Sequence, residues 1–334
     1  MGLSSRFRPG AGMERPRYQP AQRPYRFLVK METVEIDKID ALDRRFCISY
    51  PLADERLLAS IARFGVLGPL ALRKGGRAVV ITGHKRLDAA LRLGIGKVPC
   101  IFSDADDRQA LLVSINDNLA RPLNTVEKAV CVEKMAGLGF PVEEIYGVME
   151  MLGLPAREKA LNTCMAAASA EEPVWAFIVR HGLPLQVVEQ LFWFEGGEVQ
   201  EIIRLVGPLR PTVSSLRETL HLMMLLKVKR GEIDLAGLEG AKDMEALRRA
   251  LRKRTNPLLS GLEEKLAGIL AACALPPYVR VRVDPAFERE SVDITIQARN
   301  NEEVEGALAK LGNVAREGLF GGIFELTHGT TDTI

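Results

Sequence analysis

The sequence predicts an α+β chain: a mixed N-terminal domain, a mostly helical middle domain and a small strand-strand-helix C-terminal unit. Three observations predict it. Short β-patterned runs alternate with amphipathic helices between 33 and about 103. Helical periodicity then dominates from 107 to 228. Finally Val279, Val281 and Val283, followed by Val292, Ile294 and Ile296, alternate as two strands ahead of a last helix.

Taken in order, Val34, Ile36 and Ile39 alternate among charges as a short strand over 33–40. Asp54 caps a helix carrying Leu57, Leu58, Ile61 and Phe64, and Gly65 stops it. Leu70–Arg73 and Ala78–Thr82 read as strands joined by the turn Lys74-Gly75-Gly76-Arg77. Gly83 opens a helix through Leu93, Gly94 ends it, and Val98–Phe102 is another strand. Helices follow at Asp107–Leu119 and Val126–Leu138, the second opened by Asn124 with Glu127 three residues on, a capping box. Val142–Leu152, Gly153-Leu154-Pro155 and Ala156–Ala168 form helix, tight turn, helix, with Ile145, Val148, Met149 and Leu152 on one face. Leu161 and Cys164 or Met165 pack against that face, leaving Arg157, Glu158, Lys159, Asn162 and Thr163 exposed. Further helices are expected at 173–181, 184–194, 197–206 and 213–228. A basic helix, Met244–Arg254, lies in a linker over 231–256. The last unit holds a helix to Cys273, strands Tyr278–Val283 and Ser291–Ala298 around Asp284-Pro285, and a helix Glu302–Leu311.

Composition bounds the function classes. No apolar run reaches the roughly 18 to 20 residues that span a bilayer, and no apolar stretch follows the basic N-terminus as in a signal peptide. A cytoplasmic protein is expected. Cys47, Cys100, Cys131, Cys164 and Cys273 are too far apart for a CxxC site, so buried thiols are expected. His84, His181, His221 and His328 are equally scattered, which argues against a metal cluster. Arg6, Arg8, Arg15, Arg17, Arg23, Arg26 and Lys30 stand against Glu14 alone, a net +6 in a chain whose total is +2. The remainder is therefore slightly acidic, and residues 1–31, with four prolines and few aliphatics, read as a disordered basic arm.

The stretch Ile81-Thr82-Gly83-His84-Lys85-Arg86-Leu87-Asp88-Ala89-Ala90 carries the chemistry. A strand runs into a glycine and two basic side chains at a helix start. Gly83 permits close backbone approach, the free N–H groups of the helix favour an anion, and Arg86 grips phosphate bidentately. Taken alone, an ordinary strand-glycine-helix turn fits the same residues. Asp117 and Asn118 suit Mg2+, and Arg121 suits phosphate, although a solvated helix end also fits them. For the exposed 157–163 face, a plain helical hairpin and a DNA-reading helix-turn-helix both fit. Arg157 and Asn162 suit base edges, and Lys159 and Thr163 suit phosphates. Two further basic clusters fit either a DNA surface or solvated helix faces: Lys227, Lys229 and Arg230, and the run Arg248 to Arg254.

The order of several segments resembles the ParB family. Ser60-Ile61 through Gly65 to Pro69 resembles its helix-to-strand turn. Gly83-His84-Lys85-Arg86 with Ala89 resembles its G-E-R-R phosphate motif, and Gly94 through Val98-Pro99 resembles the segment that follows. Asp117-Asn118-Leu119-Ala120-Arg121 resembles its E-N-x-x-R motif, and Leu123 through Glu127 and Ala129 resembles its L-x-x-x-E-x-A. This resemblance implies a ParB/sulfiredoxin-like N-terminal domain, a helix-turn-helix middle domain, and CTP with Mg2+ as cofactors. The nucleotide site would include Ser60, Gly65, Gly83, His84, Lys85, Arg86, Asn118 and Arg121, with Asp117 and Asn118 on the metal. Arg157, Lys159, Asn162 and Thr163 would face double-stranded DNA. The resemblance further implies a homodimer formed through the C-terminal unit, a ParA-type ATPase stimulated by Arg6 and Arg8, and a nucleoid-associated role in chromosome or plasmid partition. Non-specific DNA attraction and plain disorder remain alternatives for the arm.

Two positions depart from the family. His84 stands where the family has glutamate, and Asp117 replaces a glutamate one methylene longer. CTP binding is expected rather than efficient hydrolysis, since histidine is a poor ligand for a hard cation. A DNA-binding regulator without nucleotide switching is the alternative. A sulfiredoxin activity is excluded because Thr82 to Lys85 contains no cysteine. A nuclease is disfavoured because only Asp117 and Asp88 are at hand where clustered carboxylates are needed. The expected boundaries are 1–31 for the arm, 32–120 for the nucleotide domain, 121–230 for the helical DNA-binding domain, 231–256 for the linker and 257–328 for the C-terminal unit.

Overall fold

A computed structural model describes residues 30–327, apart from Glu288 and Glu290. The arm expected over 1–31, with Arg6 and Arg8, lies almost wholly outside the described residues. The chain divides into two compact units, one up to Ile203 and one from Arg204.

The first unit begins with a five-stranded sheet in the order β1-β5-β3-β4-β2. Its strands are β1 (Glu32–Glu35), β2 (Ile39–Asp40), β3 (Leu70–Arg73), β4 (Ala78–Thr82) and β5 (Lys97–Ser103). The single strand expected over 33–40 is interrupted by a 3-10 turn at Ile36–Lys38. That turn lets one short segment serve both edges: β1 pairs antiparallel with β5, and β2 pairs parallel with β4. Strands about 4.8 Å apart would put the edges of a flat sheet about 19 Å from each other. One 3-10 turn advances only about 8 Å, so the sheet must curl.

The hairpin β3–β4 has the expected ends, with a bulge between Ala71 and Leu72. Its fully enclosed Leu70, Leu72 and Val80 meet Ile39, Val98 and Cys100, and Leu87 and Ala90 cover them from helix α2 (His84–Arg92). Helix α1 (Glu55–Phe64) starts where Asp54 accepts from the Leu57 N–H at 2.8 Å and stops at Gly65, whose φ of 72° suits a residue without Cβ.

From α3 (Asp107–Asn118) onward the unit is helical: α4 (Thr125–Gly137), α5 (Val142–Met151), α6 (Glu158–Ala168), α7 (Glu172–Arg180), α8 (Leu185–Leu191) and α9, which runs from Gly196 to Val206. The capping box of α4 is complete, with the Glu127 N–H donating to Asn124 at 2.9 Å and the Asn124 N–H to Glu127 at 3.1 Å. Helix α6 starts two residues later than expected because Pro155 and an extended Arg157 (φ −151°) keep the chain out of helical geometry. It packs chiefly on α4 and also on α8.

In the second unit, α10 (Val213–Arg230) packs on α11 (Met244–Thr255), which packs on α12 (Pro257–Cys273). Strands β6 (Val279–Val283) and β7 (Val292–Ile296) pair antiparallel, and α13 (Asn301–Arg316) runs five residues past its expected end. A further helix, α14 (Leu319–Thr327), was not expected, since two consecutive glycines disfavour a helix interior. Packing explains one of them: a Cβ on Gly322 would come within 3.0 Å of the Ile269 side chain on α12. All five cysteines are buried free thiols. No helix among the described residues is long and apolar enough to cross a membrane.

Leu72→Ala should lower the stability of the first unit by about 3 kcal/mol, the cost of a cavity in a closed core. Both tryptophans, Trp175 and Trp193, lie in that unit, so their emission during urea unfolding reads its transition.

Candidate anion site

The end of β4 delivers Gly83 in the left-handed region, φ 104°, directly onto the first turn of α2. A Cβ at Gly83 would lie 3.0 Å from Leu70 Cγ and 3.4 Å from Arg86 Nη2, so glycine answers both the backbone angle and the space. The first turn of α2 has no acidic residue, which leaves its N–H groups and partial positive charge open to an anion. A cleft of about 240 Å3 opens there, lined by Ser49, Thr82, Gly83, His84, Lys85, Arg86, Asp117, Asn118, Ala120 and Arg121.

Three separate stretches of sequence therefore converge: the β4–α2 turn, the end of α3, and the loop before α1. Of the residues expected to bind nucleotide, Gly83, His84, Lys85, Arg86, Asn118 and Arg121 share this cleft with Asp117. Ser60 and Gly65 do not line it. Ser60 is exposed on α1, and Gly65 caps that helix. Ser49 and Thr82 line the cleft but were not among the expected site residues: no motif marks Ser49, and Thr82 reads only as the last strand residue before Gly83.

The charges are tightly managed. Arg86 Nη1 donates to the Pro69 carbonyl at 2.8 Å, and its Nη2 lies 3.9 Å from Asp117. Thr82 donates its hydroxyl to the Asp117 carboxylate. The Glu127 side chain, only 1% exposed, takes Arg121 bidentately at 2.6 and 2.7 Å and has Lys85 Nζ at 3.6 Å. It also accepts from the Tyr50 N–H at 3.2 Å. Arg121 Nη2 donates to Asn118 Oδ1 at 3.0 Å, and Asn118 Nδ2 donates to the Ser114 carbonyl at 2.9 Å, which fixes the amide. The glutamate that organises this wall reads in sequence as half of a capping box and as part of the L-x-x-x-E-x-A resemblance, with no partner role marked.

His84 also lines the cleft. Its Nε2 is enclosed and has no hydrogen-bond partner. Burial lowers the imidazole pKa to about 4, assisted by the positive charges of Lys134 and Arg44. It is therefore neutral at pH 7. Asp88, the other carboxylate of the phosphate-motif helix, accepts from the Ala53 N–H at 3.1 Å and pairs with Arg92 at 3.0 Å, outside the cleft lining. Among the described residues no group of three or more His, Cys, Asp or Glu is placed to hold a metal.

On the α6 face, Arg157, Lys159 and Asn162 are exposed as expected. Arg157 and Lys159 reach back to Glu189 on α8 at 3.6 and 2.5 Å. Thr163 corrects the expectation. It is buried, 7% exposed, and its hydroxyl donates to the Lys159 carbonyl at 2.9 Å. The inward face of α6 is Ala160, Thr163, Cys164 and Ala167, so Cys164 is buried as expected while Leu161 and Met165 are only partly covered. Four small or short side chains let α6 lie close to α4, a fit that periodicity alone does not specify.

Residues 29–119 match the family model of the ParB N-terminal domain. A probable plasmid-partitioning protein ParB of Thermus thermophilus is 30% identical over 145 residues, 39% of this chain and 49% of that protein. A probable chromosome 1-partitioning protein ParB of Deinococcus radiodurans is 27% identical over 194 residues, 50% of this chain and 67% of that protein. The chain thus spans about half the length of the Thermus relative and 30% of a Vibrio cholerae one. Among solved structures, a Pnob8-like ParB-N domain aligns with a TM-score of 0.41 at 16% identity, over 64% of this chain and all of that one. The C-terminally truncated ParB of Caulobacter crescentus, complexed with CTP-gamma-S, aligns with a TM-score of 0.26 at 21% identity, over 52% of this chain and 99% of that one.

Because the folded pKa of His84 lies below its ordinary value of 6.5, the unfolded chain binds the proton first as pH falls. Stability contributed by the neutral imidazole is complete above about pH 6.5 and is lost as pH falls toward 4. Replacing His84→Leu should flatten the stability profile across that window, measured by urea midpoints at half-unit pH steps.

Proposed function

The chain carries a ParB N-terminal domain, and from that premise we propose that it is a partition-type protein that binds CTP with Mg2+ in the cleft and double-stranded DNA through α6. The observation that carries the reading is the convergence of Gly83, Lys85, Arg86, Asp117, Asn118 and Arg121 on one cleft at a helix N-terminus, inside or bordering the residues matched by the family model. The donors suit the ligand. Gly83 leaves room for a phosphate against the backbone, and the open N–H groups and Arg86 supply donors. Asp117 and Asn118 would hold Mg2+, an ion that takes only one or two protein oxygens and completes its shell with phosphates and water. The bound ion would offset phosphate charge while Lys85 and Arg86 orient the chain of phosphates.

Binding without efficient turnover is the preferred form of this reading. His84 offers no carboxylate at the cleft, and burial keeps its ring neutral. DNA contact is assigned to Arg157, Lys159 and Asn162, which share one exposed face. A homodimer through the second unit is supported by exposed apolar residues there, Ile294, Val304 and Leu308. A ParA-type ATPase as partner, and a cytoplasmic, nucleoid-associated location on a chromosome or a plasmid, complete the proposal. The alternative, a DNA-binding regulator without nucleotide switching, draws on the internal pairing of every cation in the cleft.

Calorimetric titration with CTP, ATP, GTP and UTP, each with Mg2+, tests the nucleotide assignment, and selective CTP binding is the expected outcome. Arg86→Ala should weaken CTP by at least about tenfold, the worth of a lost charge-assisted contact, with a cooperative melt retained. Equal affinity in that variant would remove Arg86 from the site. Arg157→Ala combined with Lys159→Ala should weaken DNA binding in a gel shift while CTP affinity holds. A wild-type shift would move the DNA surface off α6.

A further inference from the structure

Two of the cations that line the candidate anion cleft, Lys85 and Arg121, are already paired with a buried carboxylate behind it, Glu127. Lys85, Arg86 and Arg121 bring three positive charges, and Asp117 and Glu127 bring two negative ones. A net charge of only +1 is left for a ligand. The terminal N–H groups of Arg121 are all spoken for: Nη1 faces Glu127 Oε2 and the Pro122 carbonyl, and Nη2 faces Glu127 Oε1, Asn118 Oδ1 and Ser49 Oγ. A carboxylate offers a guanidinium the same pair of acceptor oxygens that a phosphate does. Glu127 therefore sits in a phosphate's place on Arg121 and partly neutralises Lys85.

We propose that Glu127 is an internal counter-ion that incoming phosphate oxygens replace on Lys85 and Arg121, and that its charge sets the affinity of the cleft for polyphosphate. This deepens the functional reading above and rests on it. The exchange is feasible because it does not leave the buried carboxylate bare. The N–H groups of Tyr50 and Asn124, at 3.2 and 3.1 Å, continue to hold its two oxygens. Lys85 is the easier of the two cations to draw off, since its contact at 3.6 Å is longer than the 2.6 Å contact of Arg121. The opposite role is equally definite. If Glu127 served to orient Arg121 for the ligand, removing its charge would weaken binding.

The deciding experiment is calorimetry of inorganic tripolyphosphate binding to the full chain, as wild type, Glu127→Gln, Arg121→Gln and the double variant Arg121→Gln with Glu127→Gln. Glutamine keeps the length of the side chain and one oxygen for the backbone N–H groups. The charge it strands is that of Arg121, which is 33% exposed and can hydrate. Glu127→Gln should bind tripolyphosphate about tenfold more tightly than wild type, the order expected for one charge-assisted contact. Weaker binding by Glu127→Gln with a cooperative melt overturns the proposal. Should that variant fail to melt cooperatively, the double variant decides. Measured against Arg121→Gln alone, which keeps the Glu127 charge beside Lys85, it should bind tripolyphosphate about tenfold more tightly, and equal or weaker binding overturns the proposal. Wild-type binding with the wrong order sinks this proposal alone. No binding of tripolyphosphate or CTP by wild type or Glu127→Gln sinks the reading of the cleft as well.

Discussion

The first unit depends on one buried carboxylate. Glu127 is closed off from solvent, and a carboxylate in that position needs hydrogen bonds and neighbouring charge to offset its lost hydration. Its donors come from four places in the sequence: Tyr50, Lys85, Arg121 and Asn124. Satisfying it therefore ties the loop before α1, the start of α2, the segment after α3 and the start of α4 to a common point. Asn124 strengthens the tie by donating to the Tyr50 carbonyl at 2.6 Å. Breaking a buried pair of this kind typically costs about 3 to 5 kcal/mol, enough to consume a large part of a domain's stability.

The same tie joins chemistry to architecture. The first turn of α4 holds the cationic wall of the cleft, and the body of α4 is the surface on which α6 lies. Tyr50, whose N–H reaches Glu127, sets its ring edge-on against Trp175 at 5.1 Å, and the Trp175 indole donates to the Ala167 carbonyl of α6 at 2.7 Å. The candidate anion site and the candidate DNA face are thus built on shared supports. The proposed phosphate ligand would meet an already formed framework, with Gly83 leaving room for close approach and α2 open N–H groups.

The second unit follows a different logic. Its helices α10, α11 and α12 pack in sequence order, so local patterning nearly suffices to describe them. Much of the charge of α11 is spent internally: Arg248 bonds Glu218 and Glu245, and Arg254 bonds the carbonyls of Asp234 and Ala236. A basic helix in sequence is for that reason a poor guide to a nucleic-acid surface. Apolar side chains left outside include Leu258 of α12 and Val228 of α10 as well as Leu308 of α13 and Ile294 of β7.

The sequence by itself determined the elements whose cause is local. Asp54 and Gly65 bound α1, Asn124 and Glu127 box the start of α4, and Gly83 marks the β4–α2 turn, because caps and left-handed residues act over three or four positions. The ordered motifs likewise located most of the cleft, with Gly83, Lys85, Arg86, Asn118 and Arg121 together as expected. Tertiary structure alone decided the rest. It split the 33–40 strand, because one segment had to supply both edges of a curled sheet. It buried Thr163, because close packing on α4 favours short side chains and the hydroxyl could bond within its own helix. It placed α14 across two glycines, one of which lies close to the Ile269 side chain. It also gave Glu127 its second role, since a buried charge is defined by the partners that the fold brings to it from far along the chain.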